Sequence, residues 1–295
     1  MREKGDKKKE KYIEDELFAT PSKEDDDDAL ITILIDEFPD RVRTSVSTNI
    51  GRRRSQQDAA MVENDYAYTN TNKMIAILCD GMGGLSGGEI ASNLCANTLY
   101  KDFHAYDVSD NVAGFYKAAI NKIDRAVTEL KGTDQKPLCA GTTLASIIIL
   151  VDKLYWASVG DSRIYLIRDN EIARLTVDHN YGVILDQKVK KNLITKKEAE
   201  SHPKRDALIS YIGMGGVRHI DLNPRPFQLV NGDRMMICSD GLYRSLNDKE
   251  IKEIIVNSQF GIKGTADALI DCAMRKNLKN QDNTTVVLVD FFDTG

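Results

Sequence analysis

The stretch "KLYWASVGDSRIYLIRDNEIARLT", residues 153–176, contains short apolar runs that are separated by turn residues. The runs are rich in aromatic and β-branched side chains, which favour β-strands. The segment Arg168–Glu171 places Asp and Asn between two runs, as is typical of a tight turn. We therefore predict that this stretch forms a β-meander.

Working outward, the remaining chain repeats this pattern with a few helices added. Further strands are predicted at 74–80, 142–152, 234–240 and 284–292. Three helices are predicted from a spacing of three to four residues between apolar side chains. Their buried faces are Ile90, Leu94, Cys95, Thr98 and Leu99; then Val112, Phe115, Tyr116, Ala119, Ile120, Ile123, Val127 and Leu130; and, within 264–277, Ala266, Leu269, Ile270 and Ala273. Many strands without regular βαβ alternation indicate an antiparallel α+β domain.

The composition is that of an ordinary globular protein. The 295 residues carry a formal net charge of -5, which gives no reason to expect nucleic acid or a membrane as partner. No apolar run approaches the roughly 20 residues needed to span a bilayer, and the N-terminus lacks the apolar stretch of a secretory signal. The cysteines are odd in number and widely spaced, which indicates reduced thiols and a cytoplasmic location.

Residues 1–40 differ in charge from the rest of the chain. They contain 7 Lys and Arg against 14 Asp and Glu. The run Lys23–Asp28 is too polar and self-repelling to pack, so we expect a charged, disordered tail at 1–40 ahead of a single domain at 41–295. The apolar island Ala29–Phe38 fits a short edge strand better than a docking motif.

Three predicted strands end on an aspartate, and a fourth begins just after one. Asp80, Asp161 and Asp240 close the runs "ILCD", "SVGD" and "ICSD", and Asp282 precedes the last strand. Each one alone fits a turn residue. Gathered at one sheet edge, however, buried acids need a cation among them, and oxygen ligands suit magnesium, manganese or calcium. Glycines after Asp80 and Asp240 would let the backbone approach closely, so that a carbonyl could serve as a further ligand, and would leave room for metal, water and substrate.

Seven blocks together resemble one family. They are "GRRRSQQDA" (51–59), "CDGMGG" (79–84), "GTT" (141–143), "VGDSRIYL" (159–166), "LTVDHN" (175–180), "GDRMMICSDGL" (232–242) and "DNTTVVLV" (282–289). Their order and spacing are similar to those of the PPM family, the type 2C metal-dependent serine/threonine protein phosphatases, of the bacterial kind. The resemblance implies a four-layer αββα sandwich of two antiparallel sheets flanked by helices. It also implies a metal cleft at one edge and a flap at about 181–215.

The resemblance further implies a site for two Mn²⁺ or Mg²⁺ ions. Asp80 would bridge the two ions, and the carbonyl of Gly81 would bind the second. Asp240 and Asp282 would complete the first ion's ligands. Asp58 would hold waters in the outer shell.

Two more features follow from the same resemblance. Asp161 would join Asp240 at a third, weaker metal site. Arg53 would clamp the substrate phosphate, because the fork of a guanidinium matches phosphate oxygens. Because Arg52 and Arg54 are adjacent, the clamping arginine could be either neighbour of Arg53.

The reaction implied is the hydrolysis of phosphoserine and phosphothreonine in proteins by a water that bridges the metals, without a covalent intermediate. The substrates would be phosphoproteins made by a bacterial serine/threonine kinase. We expect a cytoplasmic monomer that contacts neither nucleic acid nor membrane.

Several residues depart from the family pattern or invite another role. Met82 stands where animal members place a proton-donating histidine, and a thioether cannot donate a proton, so we expect it to act as spacer and packing. His179 is the tempting substitute, but a structural hydrogen-bonding role fits it better. Gln57 replaces a frequent glutamate. Ser86 and Ser239 lack a partner base and are expected to be structural or substrate-lining.

Two alternatives to a protein phosphatase remain open. A catalytically silent domain of the same family could bind partners through its flap or tail, although it would not need all the acids. Another two-metal hydrolase could act on small phosphoesters or nucleic acid, although residues 41–295 lack the excess of basic residues expected for nucleic acid.

Overall fold

A computed structural model of the chain describes residues 41–64, 72–83 and 87–292. The tail predicted at 1–40, with its apolar island Ala29–Phe38, lies outside the described residues, as does Ser86.

Short strands and a smaller number of helices make up the described chain. The strands are β1 Val42–Asn49, β2 Asp58–Asn64, β3 Lys73–Gly83, β4 Ala140–Thr142, β5 Leu144–Leu150, β6 Lys153–Val159, β7 Arg163–Arg168, β8 Glu171–Arg174, β9 Asp221–Leu222, β10 Phe227–Gln228, β11 Arg234–Cys238 and β12 Thr284–Phe291. The helices are α1 Gly87–Ala105, α2 Val112–Thr128, α3 Tyr181–Lys190, α4 Lys196–Glu200, α5 Asp240–Tyr243, α6 Asp248–Asn257 and α7 Gly261–Arg275. Within the described ranges no helix combines the length and apolar character needed to cross a membrane.

The strands form two antiparallel sheets. One sheet has five strands in the order β1-β12-β11-β7-β8. The other has seven, with the path β10-β6-β5-β3-β2, to which β4 adds beside β3 and β9 beside β6. In the first sheet β12 pairs with β1 on one side and with β11 on the other, both antiparallel.

The core lies in three layers between and outside the sheets. In β3, Met74, Ala76 and Leu78 share a buried cluster with residues of the five-stranded sheet. The alternate residues Ile75, Ile77 and Cys79 pack in a second cluster with α1 and α2. A third cluster joins the outer face of the five-stranded sheet to α6 and α7. Because side chains alternate across a strand, central strands are buried on both faces and read as continuous apolar runs. The predicted αββα sandwich is confirmed.

The predicted meander at 153–176 is only half correct. β7 and β8 form a hairpin, and its turn takes the left-handed conformation at Asp169 (φ 51°) and Asn170 (φ 61°). However, β6 belongs to the seven-stranded sheet and β7 to the five-stranded one, so the chain crosses between the sheets at 160–162. Gly160 makes this crossing at φ 100°, where a side chain would collide with Thr143.

The predicted helical faces are largely confirmed. α7 buries the predicted residues, and α2 buries most of them, although Phe115 is only partly buried and Leu130 lies beyond the helix. In α1 the predicted Cys95 and Leu99 are buried, but Ile90 is 42% exposed, and small side chains such as Ala91 and Ala96 complete the buried face. The small residues allow the helix to lie close to the sheet, which rotates the buried face away from Ile90.

Candidate active site

A cleft of about 400 Å³ opens at one edge of the sandwich, where several strands end. Four predicted acids line it, namely Asp80, Asp161, Asp240 and Asp282. Asp58, at the start of β2, lies directly opposite Asp80 in the β2–β3 register and is itself buried. The two sheets contribute from both sides, because Asp80 belongs to β3 and Asp240 follows β11. Asp161 lies where the chain crosses from one sheet to the other.

The glycines of the cleft allow the close backbone approach that was predicted, but not the extra room. A side chain at Gly81 would come within 2.1 Å of the carbonyl oxygen of Gly88, at the start of α1. A side chain at Gly241 would come within 2.2 Å of the carbonyl oxygen of Asn283. These glycines therefore let backbone segments pack against each other, and their missing side chains do not create space for metal or substrate. The packing fixes the position of Gly81 beside Asp80.

The acids are crowded enough to disturb their ionisation. Burial raises the pKa of Asp80 well above its usual value, and the charges of Asp58, Asp240, Asp161 and Asp282 raise it further. Burial raises the pKa of Asp240 to about 7, against the opposing effect of Arg244. Burial likewise raises the pKa of Asp58 to about 6. Each shift reports an anionic charge that lacks sufficient compensation.

Two carboxylate oxygens of this group are buried without a hydrogen-bond partner in the described part of the chain, Asp58 Oδ1 and Asp240 Oδ1. The second oxygen of each residue is occupied. Ser239 Oγ donates to Asp58 Oδ2 at 2.8 Å, and an Arg244 nitrogen lies 3.0 Å from Asp240 Oδ2. Buried polar atoms rarely remain unpaired, so these two oxygens are acceptors that a cation or a water could satisfy.

The acids do not yet converge on a single point. Across residues 41–64, 72–83 and 87–292, no three His, Cys, Asp or Glu side chains form a ready-made metal-binding group. Arginines pair instead with two of the acids, Arg53 with Asp282 and Arg244 with Asp240. A cation in this cleft would therefore bind carboxylates of which two already contact an arginine.

Arg53 occupies the register expected for the phosphate clamp. It lines the cleft, its side chain is 55% exposed, and its guanidinium lies 2.5 Å from Asp282 Oδ2. Arg52 instead donates to Asn277 Oδ1. The geometry thus favours Arg53 over Arg52 for contact with a ligand in the cleft.

Arg244 is a cleft residue that the sequence analysis missed. It caps α5 four residues after Asp240, and it contacts both Asp240 and, at 3.8 Å, Asp206 Oδ2. An acid and a base four residues apart at a helix is a recognised pairing signal, and it could have identified this arginine.

Met82, His179 and Ser239, for which we expect mainly structural roles, each pack against or hydrogen-bond to the surrounding protein. Met82 lines the cleft, and its Cε packs beside Gly141. His179 is buried away from the cleft lining, and its Nδ1 accepts a hydrogen bond from the backbone N–H of Gly160. Burial also lowers the pKa of His179. Ser239 also accepts from the backbone N–H of Thr285, which agrees with a structural role.

The predicted flap contributes one wall of the cleft through Asp206, Ala207 and Leu208. Its far end is held by Asp124 of α2, which is 3% exposed. The Asp124 carboxylate accepts hydrogen bonds from the backbone N–H groups of Gly213, Met214 and Gly216 at 2.6 to 3.2 Å. A buried carboxylate with three backbone donors fixes the point where this segment rejoins the domain.

Comparison with known proteins agrees with this arrangement. Residues 42–181 match the family model described as "Protein phosphatase 2C". The chain is 31% identical to protein phosphatase PhpP of Streptococcus pneumoniae over 251 residues, which cover 83% of this chain and 96% of that protein.

Two solved structures are similar as well. The serine/threonine phosphatase of S. agalactiae is 30% identical, with a TM-score of 0.73 over 85% of this chain and 100% of that one. The catalytic domain of serine/threonine protein phosphatase PstP, in complex with two manganese ions, is 27% identical, with a TM-score of 0.67 over 85% of this chain and 99% of that one. A cleft of strand-end carboxylates between two antiparallel sheets and these similarities lead to the same conclusion: the chain belongs to the bacterial protein phosphatase 2C family and is a serine/threonine protein phosphatase.

Proposed function

We propose that this cleft hydrolyses phosphoserine and phosphothreonine in proteins with the help of two Mn²⁺ or Mg²⁺ ions. The observation that carries the proposal is a pair of buried oxygens, Asp58 Oδ1 and Asp240 Oδ1, which have no hydrogen-bond partner among the described residues and lie near the crowded carboxylate of Asp80. An all-oxygen donor set suits hard divalent cations. The donor chemistry of the cleft therefore fits these ions.

The assignment of ligands follows the positions of the acids. Asp80 would contact both ions, Gly81 would add its carbonyl to the second, and Asp240 with Asp282 would complete the first. Asp58, set back beside Asp80, would bind water in the outer shell through Oδ1. When bound, the ions supply charge neutralisation and an activated water for direct attack on phosphorus.

The chain's own residues position the substrate. Arg53 would bind a phosphate oxygen with its exposed guanidinium, which would have to turn from Asp282 to reach the ligand. Ser239 holds Asp58 in place through its 2.8 Å hydrogen bond. Asp80 and Asp240 would remain ionised with the ions bound, because nearby positive charge favours the charged form.

The leaving group receives its proton from water in this proposal. Met82 has no proton to donate. His179 lies outside the cleft lining, and its Nδ1 is occupied by Gly160. Neither residue therefore serves as general acid.

The substrates we propose are proteins phosphorylated by a bacterial serine/threonine kinase. The names of the relatives, a protein phosphatase and serine/threonine phosphatases, support this class of substrate. We further propose that the protein acts in the cytoplasm as a monomer, without nucleic-acid or membrane partners.

The test is hydrolysis of a phosphothreonine peptide and of an aryl phosphate by protein that has been stripped of metal. We expect no turnover without added ion, and recovery with Mn²⁺ or Mg²⁺. The same protein with Ca²⁺ serves as a control for nonspecific ionic effects. Turnover that survives complete chelation contradicts the two-ion proposal, and turnover of the aryl phosphate alone contradicts the protein substrate.

A further inference from the structure

The carboxylates of the cleft differ in the charged groups that contact them. Arg244 forms an ion pair with Asp240 and lines the same cleft as Asp161. Asp80 lines this cleft too, but among the described residues it forms no ion pair with an arginine or lysine. A fixed positive charge thus lies on the Asp240 side of the cleft.

The two carboxylate oxygens of Asp240 have different surroundings. Oδ1 is buried and unpartnered in the described part of the chain, as a metal ligand would be. Oδ2 lies 3.0 Å from an Arg244 nitrogen. Another Arg244 nitrogen lies 3.8 Å from Asp206 Oδ2 on the flap wall. The guanidinium therefore lies between α5 and the flap. Asp161 is next to the same helix, because the Tyr243 hydroxyl donates to the backbone carbonyl of Asp161 at 3.0 Å.

We propose, on the basis of the function proposed above, that the guanidinium of Arg244 is a built-in cation that takes the place of a third metal ion at Asp161 and Asp240. The chain then binds two divalent ions. Asp240 gives Oδ1 to one of them and keeps Oδ2 for Arg244.

Two physical arguments favour the arginine over a third ion. Arg244 is attached to the same short helix as Asp240, so its effective concentration at the carboxylate is high and independent of the metal concentration. A divalent ion at the same place would also lie close to a guanidinium that cannot lose its charge, and like charges repel strongly in a partly buried site. The Asp161 carboxylate has a further partner in the side chain of Asn180.

The experiment counts the Mn²⁺ ions bound per chain at equilibrium, from the electron paramagnetic resonance signal of free Mn²⁺ and from isothermal titration. We expect two ions for the wild type. R244Q should bind a third, weaker ion, and the double variant R244Q/D161N should return to two. R244K keeps the charge and should stay at two.

Each deviation from this pattern overturns the inference. Three ions in the wild type would show that Arg244 does not fill the site, and two ions in a folded R244Q would show that Arg244 excludes nothing. D161N in the wild-type background is the second check, because loss of an ion there would make Asp161 a metal ligand despite Arg244. It remains informative if R244Q does not fold. A wild type that binds two ions without hydrolysing the peptide contradicts the proposed function and leaves this inference standing.

Discussion

Aspartates line both sides of the cleft, but the charges that surround them differ between the two sides. On the side of β2 and β3, Asp58 and Asp80 are buried together, and the largest charge effects on Asp80 come from carboxylates alone. On the side of α5, Asp240 and Asp161 share the charge of Arg244. An aspartate at a strand end thus acquires its role from the charges that the fold brings to it. In the function proposed above, the β3 side would take its cation from solution, whereas Arg244 supplies a positive charge on the α5 side.

The largest effect is expected on the side that lacks a cation. Asp80→Asn keeps the shape of the side chain and removes the charge that both ions would share. We expect turnover of a phosphothreonine peptide to fall by about three orders of magnitude, or about 4 kcal/mol in the barrier. Asp152→Asn, at the distant β5–β6 turn, is the matched control. Retention of more than about a tenth of the activity would show that Asp80 is wrongly assigned.

The pH dependence of stability sharpens the same comparison in metal-free protein. The pKa of native Asp240 is raised to about 7 and that of Asp58 to about 6, whereas the unfolded chain loses these protons near the ordinary value of 3.8. The native state therefore binds more protons between pH 4 and 7, and the free energy of unfolding falls as the pH rises through this window.

We expect a loss on the order of 3 kcal/mol between these limits, measured by urea unfolding. Added Mn²⁺ should stabilise the protein more at the upper end than at the lower, because the ion binds ionised carboxylates. A stability that rises from pH 4 to 7 without metal would contradict the assignment of buried, uncompensated acids.

Arg53 is expected to affect the binding of substrate phosphate without affecting the binding of metal ions. Arg53→Ala should raise KM for peptide and aryl phosphate by roughly tenfold, about 1.4 kcal/mol, because the clamp is lost while the metal ligands remain. Mn²⁺ affinity, measured by titration, should not weaken. Arg52→Ala and Arg54→Ala are the controls for register. A larger rise in KM for Arg54→Ala would place the clamp one residue further along the chain.

The smallest effect is expected for Ser239, which joins the two sides. Its hydroxyl donates to Asp58 and accepts from the N–H of Thr285. Ser239→Ala should lower the free energy of unfolding by about 1–2 kcal/mol, because a buried acceptor and a buried donor lose their partner. Activity should fall only a few-fold. A loss as large as that of Asp80→Asn would make Ser239 part of the reaction.

The positions of the strands could be predicted from the sequence more reliably than the partners with which they pair. The apolar runs that became β6 and β7 were found, but the runs are buried on both faces, and such a pattern does not state which sheet a strand joins. The crossing at 160–162 depends on Gly160, whose conformation is visible only in the fold. In α1, the helix lies close to the sheet, so small residues occupy the buried face and Ile90 is exposed. The spacing of apolar residues alone predicts the reverse for Ile90.

The candidate site shows the same limit. Strand-end acids were predicted as a group because their positions follow from strand boundaries, and the structure brings Asp80, Asp161, Asp240 and Asp282 to one cleft. Arg244 was missed because its relevance depends on the flap and on Asp161, which are distant in sequence. The room beside Gly81 was misjudged for the same reason, since its neighbour is the backbone of Gly88.

The pairing of β1 with β12 has a consequence for biosynthesis. These are the first and last strands that the structure describes, and Thr48 and Thr285, which share a hydrogen bond across them, are 237 positions apart. During synthesis the five-stranded sheet cannot close until β12 has left the ribosome, and Asp282 emerges immediately before it. A chain from which β12 is missing, or has not yet emerged, therefore lacks a complete five-stranded sheet beside the cleft.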